Sequence, residues 1–303
     1  MMLLPWRVSH VRLHLPRDLQ IAYAVGRMGV VTVADVFRLW YGSPHTARFG
    51  FGRMVRLGLL RSFPRPDSLS PAWFSLTPRG LAWTAEQAGC DVRELRAVAG
   101  IRRMNLSAVA MRNRLWTSLI LACRRNPAVS MASFEPEWEL RRSRQEHVHI
   151  VPDAVVTLAG TDVTGERGCA WMLEMDFGTE RSSVWKAKAG HYAEVRDANC
   201  LYGVADWRLL AIVPSARRAR SVALAVVAGG AGTFSFVGVA GHLDDGRAFD
   251  DALWPCLELA RIPTVAPTAS LIDGFGKPIN KADHQPQATD DRDFSSETGA
   301  ISP

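Results

Sequence analysis

The sequence reads IVPDAVVTL at residues 150–158, WMLEMDFGTE at 171–180 and RSSVWKAKAGHYAEV at 181–195. The first two stretches have the length and apolar composition of buried strands, and the third has the spacing of a helix. Asp153 lies at the start of the first strand. Glu174 and Asp176 lie two residues apart near the end of the second, so both point to the same face of the sheet. A hairpin of these strands would place Asp153 opposite them, which predicts a carboxylate cluster at one end of a sheet.

Lysine is rare in this chain and occurs beside that acidic cluster. Only four of the 36 basic residues are lysines, and the two outside the C-terminal tail are Lys186 and Lys188. They differ by about 200° around a helix, so only one can face the sheet. Lys188 shares the apolar stripe of Trp185 and Tyr192 and is therefore predicted to point inward. An ammonium group is a compact charge that a guanidinium does not replace.

Neighbouring carboxylates repel one another unless a cation lies between them, and oxygen ligands with water are what Mg²⁺ prefers. We therefore expect Mg²⁺ or Mn²⁺ to be held by Asp153 and Glu174, with Asp176 and Lys188 assisting phosphodiester hydrolysis. An alternation on an earlier predicted strand adds further candidate acids: Glu135, Glu137 and Glu139. The alternative left open is a salt-bridged sheet end in which Arg181 neutralises the acids. His147 and His149 form a weaker candidate metal pair.

The first 99 residues predict a winged helix-turn-helix. Helix starts are indicated by Asp18, by Thr32 and by Ser43 with Pro44 behind it, and the first helix ends at Gly29. Two strand-like pieces, 59–63 and 72–76, follow the third helix, and Thr77 then begins another. In such a unit the third helix enters the major groove of DNA. Its free face carries the predicted DNA-binding residues: Ser43, His45, Thr46, Arg48, Arg53 and Arg56.

The rest of the chain predicts an α/β (α+β) arrangement. A long arginine-rich helix over 100–128 joins the halves, and strands alternate with helices over 129–263. The helices are expected at 182–196 and 215–227. Residues 264–303 are rich in Pro, Asp, Ser and Thr, and we expect a disordered tail.

Composition limits the classes of function. Residues 1–128 carry 19 Arg and 6 acids, whereas residues 129–303 carry 17 basic residues and 24 acids. A basic first half suits a polyanion such as double-stranded DNA, and an acidic second half suits a divalent cation. No apolar run reaches the ~18 residues of a membrane span. Five scattered cysteines without a CxxC pair indicate a reducing compartment, so a cytoplasmic location without membrane contact is expected.

These motifs resemble the replication-relaxation family of plasmid replication and mobilisation proteins. The resemblance rests on Pro-Asp-Ala at 152–154, Leu-Glu-x-Asp at 173–176, Gly-Thr-Glu at 178–180 and a lysine four residues before Tyr192. It implies a winged helix followed by a PD-(D/E)XK, or restriction-endonuclease-like, domain. Asp153 and Glu174 match the two acids of that motif. Asp176 stands where the motif lysine is expected, so Lys188 is the candidate replacement from the helix.

Three functions remain open from the sequence. The first is a DNA-binding replication, relaxation or mobilisation protein with a metal-dependent nuclease-like domain. The second is a non-catalytic transcription regulator or assembly factor whose second domain dimerises or binds a partner, including other replication proteins. The third is a subunit of a DNA-targeting defence system.

Overall fold

A helical unit with a small sheet is followed by a larger mixed sheet, which is an α+β architecture. The computed structural model describes residues 17–63, 71–101, 105–142, 150–162, 165–197, 201–202, 207–242 and 253–261. Several sequence predictions fall outside these ranges: the tail over 264–303, the histidines at 147 and 149, and Arg102 and Arg103 of the long helix. Within the described ranges, no helix combines the length and apolarity needed to cross a bilayer.

The first unit begins with three helices and ends with a fourth. Its helices are α1 (Arg17–Met28), α2 (Val33–Trp40), α3 (Pro44–Arg56) and α4 (Pro78–Ala88). Its strands are β1 (Val31–Thr32), β2 (Leu60–Phe63) and β3 (Trp73–Leu76), which form an antiparallel sheet in the order β1-β3-β2. The apolar face of α3, with Ala47, Phe51 and Met54, is buried as its helical spacing predicts.

Three of the predicted helix starts are confirmed by local hydrogen bonds, whereas Asp18 lies inside the first turn of α1, which already includes Arg17. The Thr32 hydroxyl accepts from the backbone N–H of Asp35, whose carboxylate accepts from the N–H of Thr32 in return. At the starts of α3 and α4 the hydroxyls of Ser43 and Thr77 accept from the backbone N–H three residues later, and each of these residues is followed by a proline. Gly29 ends the first helical segment with φ +80°, a backbone conformation that favours glycine.

The long helix α5 (Leu106–Arg125) begins at Asn105 and is packed on two sides. Arg112 donates to the carbonyl of Met28 at 3.1 Å, and Asn113 donates to that of Val30 at 2.8 Å. Its apolar side chains join one core that includes α1–α3 and one face of the larger sheet. The predicted division at residues 99 and 128 stays a prediction, and α5 is a core helix rather than an exposed connection.

The larger sheet has the order β4-β5-β6-β7-β8-β9. Its strands are β4 (Val129–Pro136), β5 (Ala154–Asp162), β6 (Gly165–Met175), β7 (Trp207–Val213), β8 (Ser235–Val239) and β9 (Leu253–Pro255). The pairs β4/β5, β5/β6 and β8/β9 are antiparallel, whereas β6/β7 and β7/β8 are parallel. The short helices α6 (Glu137–Leu140) and α9 (Cys256–Arg261) follow β4 and β9.

The two faces of this sheet bury different cores. One face packs under α7 (Ser182–Asp197) and α8 (Ala216–Ala228), with Trp185, Tyr192 and Trp207 fully buried. The other face packs on α5 and the N-terminal unit. Residues of even number near the end of β6 point to the α7 side, which places Glu174 and Asp176 under the same helix.

The predicted alternation of three acids on one strand is wrong. Glu137 and Glu139 do not alternate on a strand with Glu135, because β4 ends at Pro136 and the chain turns into α6. Leu57 is 51% exposed at the end of α3. Trp73 of β3 is buried beneath α5 in a small separate core.

Candidate functional site

The β5–β6 hairpin brings Asp153 beside Glu174. Ala154 pairs with Leu173, and the backbone N–H of Asp153 donates to the carbonyl of Leu173 at 3.0 Å. The Asp153 carboxylate accepts from the N–H of Met175 at 2.7 Å. Asp153 and Glu174 therefore lie on neighbouring strands and line the same cavity, as the sequence predicted.

This carboxylate cavity has a volume of about 680 Å³ and lies between the end of the hairpin, α5 and α7. Its charged and polar lining comes from Asn105, Asp153, Thr179, Glu180, Ser183, Lys188 and His191, together with Glu174. Phe177, Val184 and Met175 supply apolar walls. The three carboxylates outnumber the single lysine, so the cavity is negatively charged.

Lys188 reaches into the cavity from α7, whereas Lys186 is exposed, as the helical spacing predicted. The Lys188 ammonium donates to Glu174 at 3.0 Å and to Glu180 at 3.4 Å. It also lies 5.0 Å from the centre of the Trp185 ring. The amine is thus held by two carboxylates and one aromatic face, with 27% of its side chain exposed to the cavity.

Glu174 is the most perturbed acid of the cavity. Burial raises its pKa to about 7, and the neighbouring charge of Asp153 adds to the rise. Lys188 and the hydroxyl of Tyr192, which donates at 2.7 Å, act in the opposite direction. Burial raises the pKa of Asp153 as well. A carboxylate with such a shift in a cleft is a functional candidate with a physical basis.

Burial alone would lower the pKa of Lys188, but attraction to Glu174 and Glu180 outweighs burial and raises it. Lys188 therefore stays protonated at neutral pH. The Tyr192 hydroxyl also stays protonated, because burial and the nearby Glu174 charge raise its pKa well above 10. Both groups are donors that fix the orientation of the Glu174 carboxylate.

Asp176 lies outside the lining of the cavity. One of its oxygens accepts from the N–H of Gly178 at 2.5 Å, and the other accepts from the Trp185 indole at 2.7 Å. Arg218 of α8 forms an ion pair with that second oxygen at 2.6 Å. The partner that neutralises this acid is therefore Arg218 and not Arg181, and the side chain is fully buried.

Sequence reasoning assigned no role to three residues of this region. Tyr192 and Glu180 hold Glu174 and Lys188, and Arg218 holds Asp176. The position of Tyr192 one helical turn after Lys188 was a usable signal for its inward orientation. No local signal identifies Arg218, because it lies 42 residues from Asp176.

Two carboxylates fit the way proteins hold Mg²⁺, which often keeps several waters and uses only one or two acids together with substrate phosphates. Within the described residues, no group of three or more His, Cys, Asp and Glu side chains is arranged to hold a metal. Burial raises the pKa values of Asp153 and Glu174, and a divalent cation beside them would favour their ionised forms. Asp153 and Glu174 are the residues that could hold such a cation.

The predicted DNA-binding residues lie together along α3. His45, Thr46, Arg48, Arg53 and Arg56 are exposed, and Ser43 caps the helix by accepting from the N–H of Thr46 at 3.2 Å. Arg53 forms an ion pair with Asp18 of α1. Phe49, 65% exposed, lies edge-on to the ring of His45 on the same surface. This exposed face of α3 therefore combines three cations with one apolar side chain.

The sequence profile described as replication-relaxation matches residues 23–204, which is more than half of the chain. The match runs from within α1 to beyond the end of α7 and contains Asp153, Glu174 and Lys188. No curated protein and no solved structure matches the sequence.

Proposed function

Because the chain belongs to the replication-relaxation family, which indicates a function related to replication of a plasmid or other mobile element, we propose that it binds duplex DNA and acts on a phosphodiester during replication, relaxation or mobilisation. The observation that carries this proposal is the carboxylate cavity. There two acids from neighbouring strands and one lysine from α7 face the same space. The proposal has a DNA-binding part and a chemical part, and each has its own test.

The DNA-binding part concerns residues 17–101, which we interpret as a winged helix-turn-helix. Support comes from the order of its elements, three helices followed by the β2–β3 hairpin, and from the three exposed cations of α3. Side chains of a recognition helix contact base edges and phosphates in the major groove. Arg48 and Arg56 are exposed and are the first candidates for phosphate contacts.

The chemical part assigns roles to the residues of the cavity. Asp153 and Glu174 would hold Mg²⁺ or Mn²⁺, and Lys188 would stabilise negative charge on a phosphate oxygen. A bound divalent ion supplies Lewis-acid stabilisation of the phosphate and a more acidic water. Tyr192 holds one oxygen of Glu174 and leaves the acid in a fixed orientation. Asp176 supports the helix through Trp185 and Arg218 rather than contacting the reacting atoms.

Gel-shift titrations with duplex DNA at several salt concentrations test the DNA-binding part. We expect affinity to fall steeply with salt, and Arg48→Ala/Arg56→Ala to reduce the slope of log K against log salt by about 1.8. The matched control is Arg114→Ala, which removes an exposed arginine from α5. Binding that does not depend on salt would contradict the DNA-binding part. An equal decrease of the slope in Arg114→Ala would contradict it as well.

Calorimetric titration with Mn²⁺ tests the metal site without relying on activity. The wild type should bind one ion, and Asp153→Ala and Glu174→Gln should each weaken binding at least tenfold, as loss of a direct ligand predicts. Supercoiled plasmid with Mg²⁺ or Mn²⁺ then reports nicking, which both variants should abolish. Glu194→Gln, an exposed acid on α7, is the control. Equal Mn²⁺ binding by wild type and Asp153→Ala would refute the assignment.

One observation favours a second candidate function, a non-catalytic DNA-binding regulator or assembly factor. Both oxygens of Glu174 already accept hydrogen bonds from protein donors, Lys188 and Tyr192. A nuclease-like cavity in which protein donors already bind both oxygens of the acid fits a non-catalytic scaffold. Such a scaffold would bind a partner protein or a second copy of the chain. Duplex binding without Mn²⁺ binding would favour this candidate.

A further inference from the structure

Two more cavities adjoin the carboxylate cavity. The arginine cavity, about 350 Å³, shares Asn105, Ala108, Asp153 and Met175 with it. The α7–α8 cleft, about 520 Å³, shares Ser183 with it. The three cavities therefore adjoin one another at shared lining residues, with the carboxylate cavity between the other two, and together they are called the groove.

The charges alternate along this groove. The arginine cavity is lined by Arg96, Arg112 and Arg141, against the acids Asp153 and Glu137. The α7–α8 cleft is lined by three further cations, Lys186, Arg217 and Arg220, and no carboxylate among the described residues lines it. A negative centre thus lies between two positive ends. That distribution suits a polyanion whose phosphates contact the two basic ends.

Arg112 distinguishes the arginine cavity from an exposed basic surface, because this arginine is buried. Its side chain is 9% exposed and lines the cavity, and its Nε has no hydrogen-bond partner among the described residues. Its Nη2 donates to the carbonyl of Met28, which fixes the guanidinium in place. The Nε atom is fully buried, so the guanidinium acts on the arginine cavity through its charge. That charge attracts a phosphate into the cavity.

Aromatic side chains favour a single strand over a duplex as the occupant. Phe177 lines the carboxylate cavity, and Trp138 lines the arginine cavity. Base faces are available for stacking on such rings only when the bases are not stacked in a duplex. The groove therefore offers basic groups at both ends and the Phe177 ring between them.

We propose that this groove binds a segment of single-stranded DNA, with its two basic ends contacting phosphates on either side of the carboxylate cavity. The proposal extends the proposed function by naming the substrate of that cavity, and it rests on that function for the role of the central acids. Binding of the strand itself needs neither the metal nor the exposed face of α3. Failure of one proposal is therefore distinguishable from failure of the other.

The test uses the full chain carrying Arg48→Ala/Arg56→Ala, so that the α3 surface contributes little. Fluorescence anisotropy with a labelled oligothymidine of about 12 nucleotides, a length within known site sizes, is measured in EDTA. Salt is varied between about 50 and 200 mM. Arg96→Ala/Arg141→Ala and Lys186→Ala/Arg220→Ala remove two cations from each end. Each pair should reduce the salt slope by about 1.4, because each phosphate contact of a single strand contributes about 0.7.

The matched control is Arg114→Ala/Arg261→Ala, two exposed arginines that line none of the three cavities. Phe177→Leu keeps an apolar side chain but removes the ring, and it should weaken single-strand binding roughly tenfold. The proposal is overturned if oligothymidine binding is absent or insensitive to salt. It is also overturned if the control pair reduces the salt slope as much as the end pairs do. It is also overturned if a duplex of equal length binds as tightly as the single strand and if both end-pair variants reduce the affinity for the two ligands equally.

Discussion

At the scale of single residues, Glu174 links stability to pH. Burial raises its folded-state pKa to about 7, above the ordinary value of 4.5. Between these values the folded state binds more protons than the unfolded state, so the free energy of unfolding falls as pH rises from about 4.5 to about 7. The buried charge is thus a cost to stability at neutral pH, which is common where acids serve a function.

Glu174→Gln should remove this pH dependence. We expect the wild type to lose roughly 2 kcal/mol more than the variant between pH 5 and pH 8, given about 1.4 kcal/mol per unit of pKa shift. Urea unfolding at the two pH values measures the difference. Glu194→Gln, an exposed change on α7, should behave as the wild type. A variant that keeps the wild-type pH dependence would show that Glu174 is not the titrating group.

Asp176 is expected to stabilise the fold, whereas the buried charge of Glu174 lowers stability at neutral pH. Its carboxylate is fully buried and holds Gly178, Trp185 and Arg218 together. Arg218→Met should lower the free energy of unfolding by about 3–5 kcal/mol, since it leaves a buried charge without its partner. Asp176→Asn/Arg218→Met should recover part of that loss in denaturant unfolding. If the double variant is as unstable as the sum of the single ones, the ion pair contributes no coupling.

The acids were easier to predict than their partners. Asp153 and Glu174 follow from the alternation of two short strands and one hairpin, which are local features. Lys188 follows from helical spacing. The different roles of Glu174 and Asp176 do not follow from the sequence. The role of Asp176 depends on Arg218 in α8, which lies 42 residues later in the chain. A pattern of two acids on one face cannot distinguish a cavity wall from a buried ion pair.

At the scale of elements, three helix starts and the strands β2 and β3 were predictable, whereas β1 was not. Thr32, Ser43 and Thr77 are caps whose hydrogen bonds reach only three residues along the chain. In contrast, β1 has two residues, and its pairing with β3 depends on a contact to residues more than 40 positions later. No periodic pattern exists in two residues. The alternating acids after β4 matched a strand, but the chain turns at Pro136.

The two glycines inside α3 give a matched pair of substitutions. A Cβ at Gly52 would meet only the end of Arg56 at 3.7 Å, so Gly52→Ala should raise the free energy of unfolding by about 1 kcal/mol. A Cβ at Gly50 would lie 1.9 Å from the hydroxyl of Tyr41, which is 7% exposed. Gly50→Ala should therefore lower stability by about 1–3 kcal/mol.

Thermal unfolding of the two variants, compared at equal pH, measures the difference. Gly42→Ala, where no atom lies within 4 Å of the added carbon, controls for a glycine change outside the helix. If both helical variants were stabilised, Tyr41 would have room to move, and its contact with α3 would not fix the position of the helix.

At the scale of the whole molecule, the N-terminal unit and the larger sheet share one core. Apolar residues of α1–α3, α5 and one face of the larger sheet belong to a single cluster. Polar contacts also join the two parts, between the end of α1 and the segment of β4 and α6. Arg27 at the end of α1 is 4% exposed, donates to Glu139 at 2.8 Å and donates to the carbonyl of Phe134 at 3.2 Å. The indole of Trp138 donates back to the carbonyl of Arg27 at 3.1 Å.

This arrangement predicts one cooperative unfolding transition for both parts, although the sequence alone suggested two units joined by a linker helix. Unfolding followed by near-ultraviolet and far-ultraviolet circular dichroism should give coincident curves. Arg27→Met removes the contacts of Arg27 and leaves Glu139 buried, so it should shift the whole transition by about 3–5 kcal/mol. The transition should remain single, because the apolar part of the shared core is unchanged.

The control for Arg27→Met is Arg114→Met, an exposed change on α5 that should leave the transition within about 0.5 kcal/mol of the wild type. Two separated transitions in the wild type would contradict a shared core and would favour independent domains. Separation only in Arg27→Met would mean that the polar contacts, rather than the apolar cluster, hold the two parts together. A single shifted transition would mean that the apolar cluster, which includes residues of α5, holds the two parts together without the contacts of Arg27.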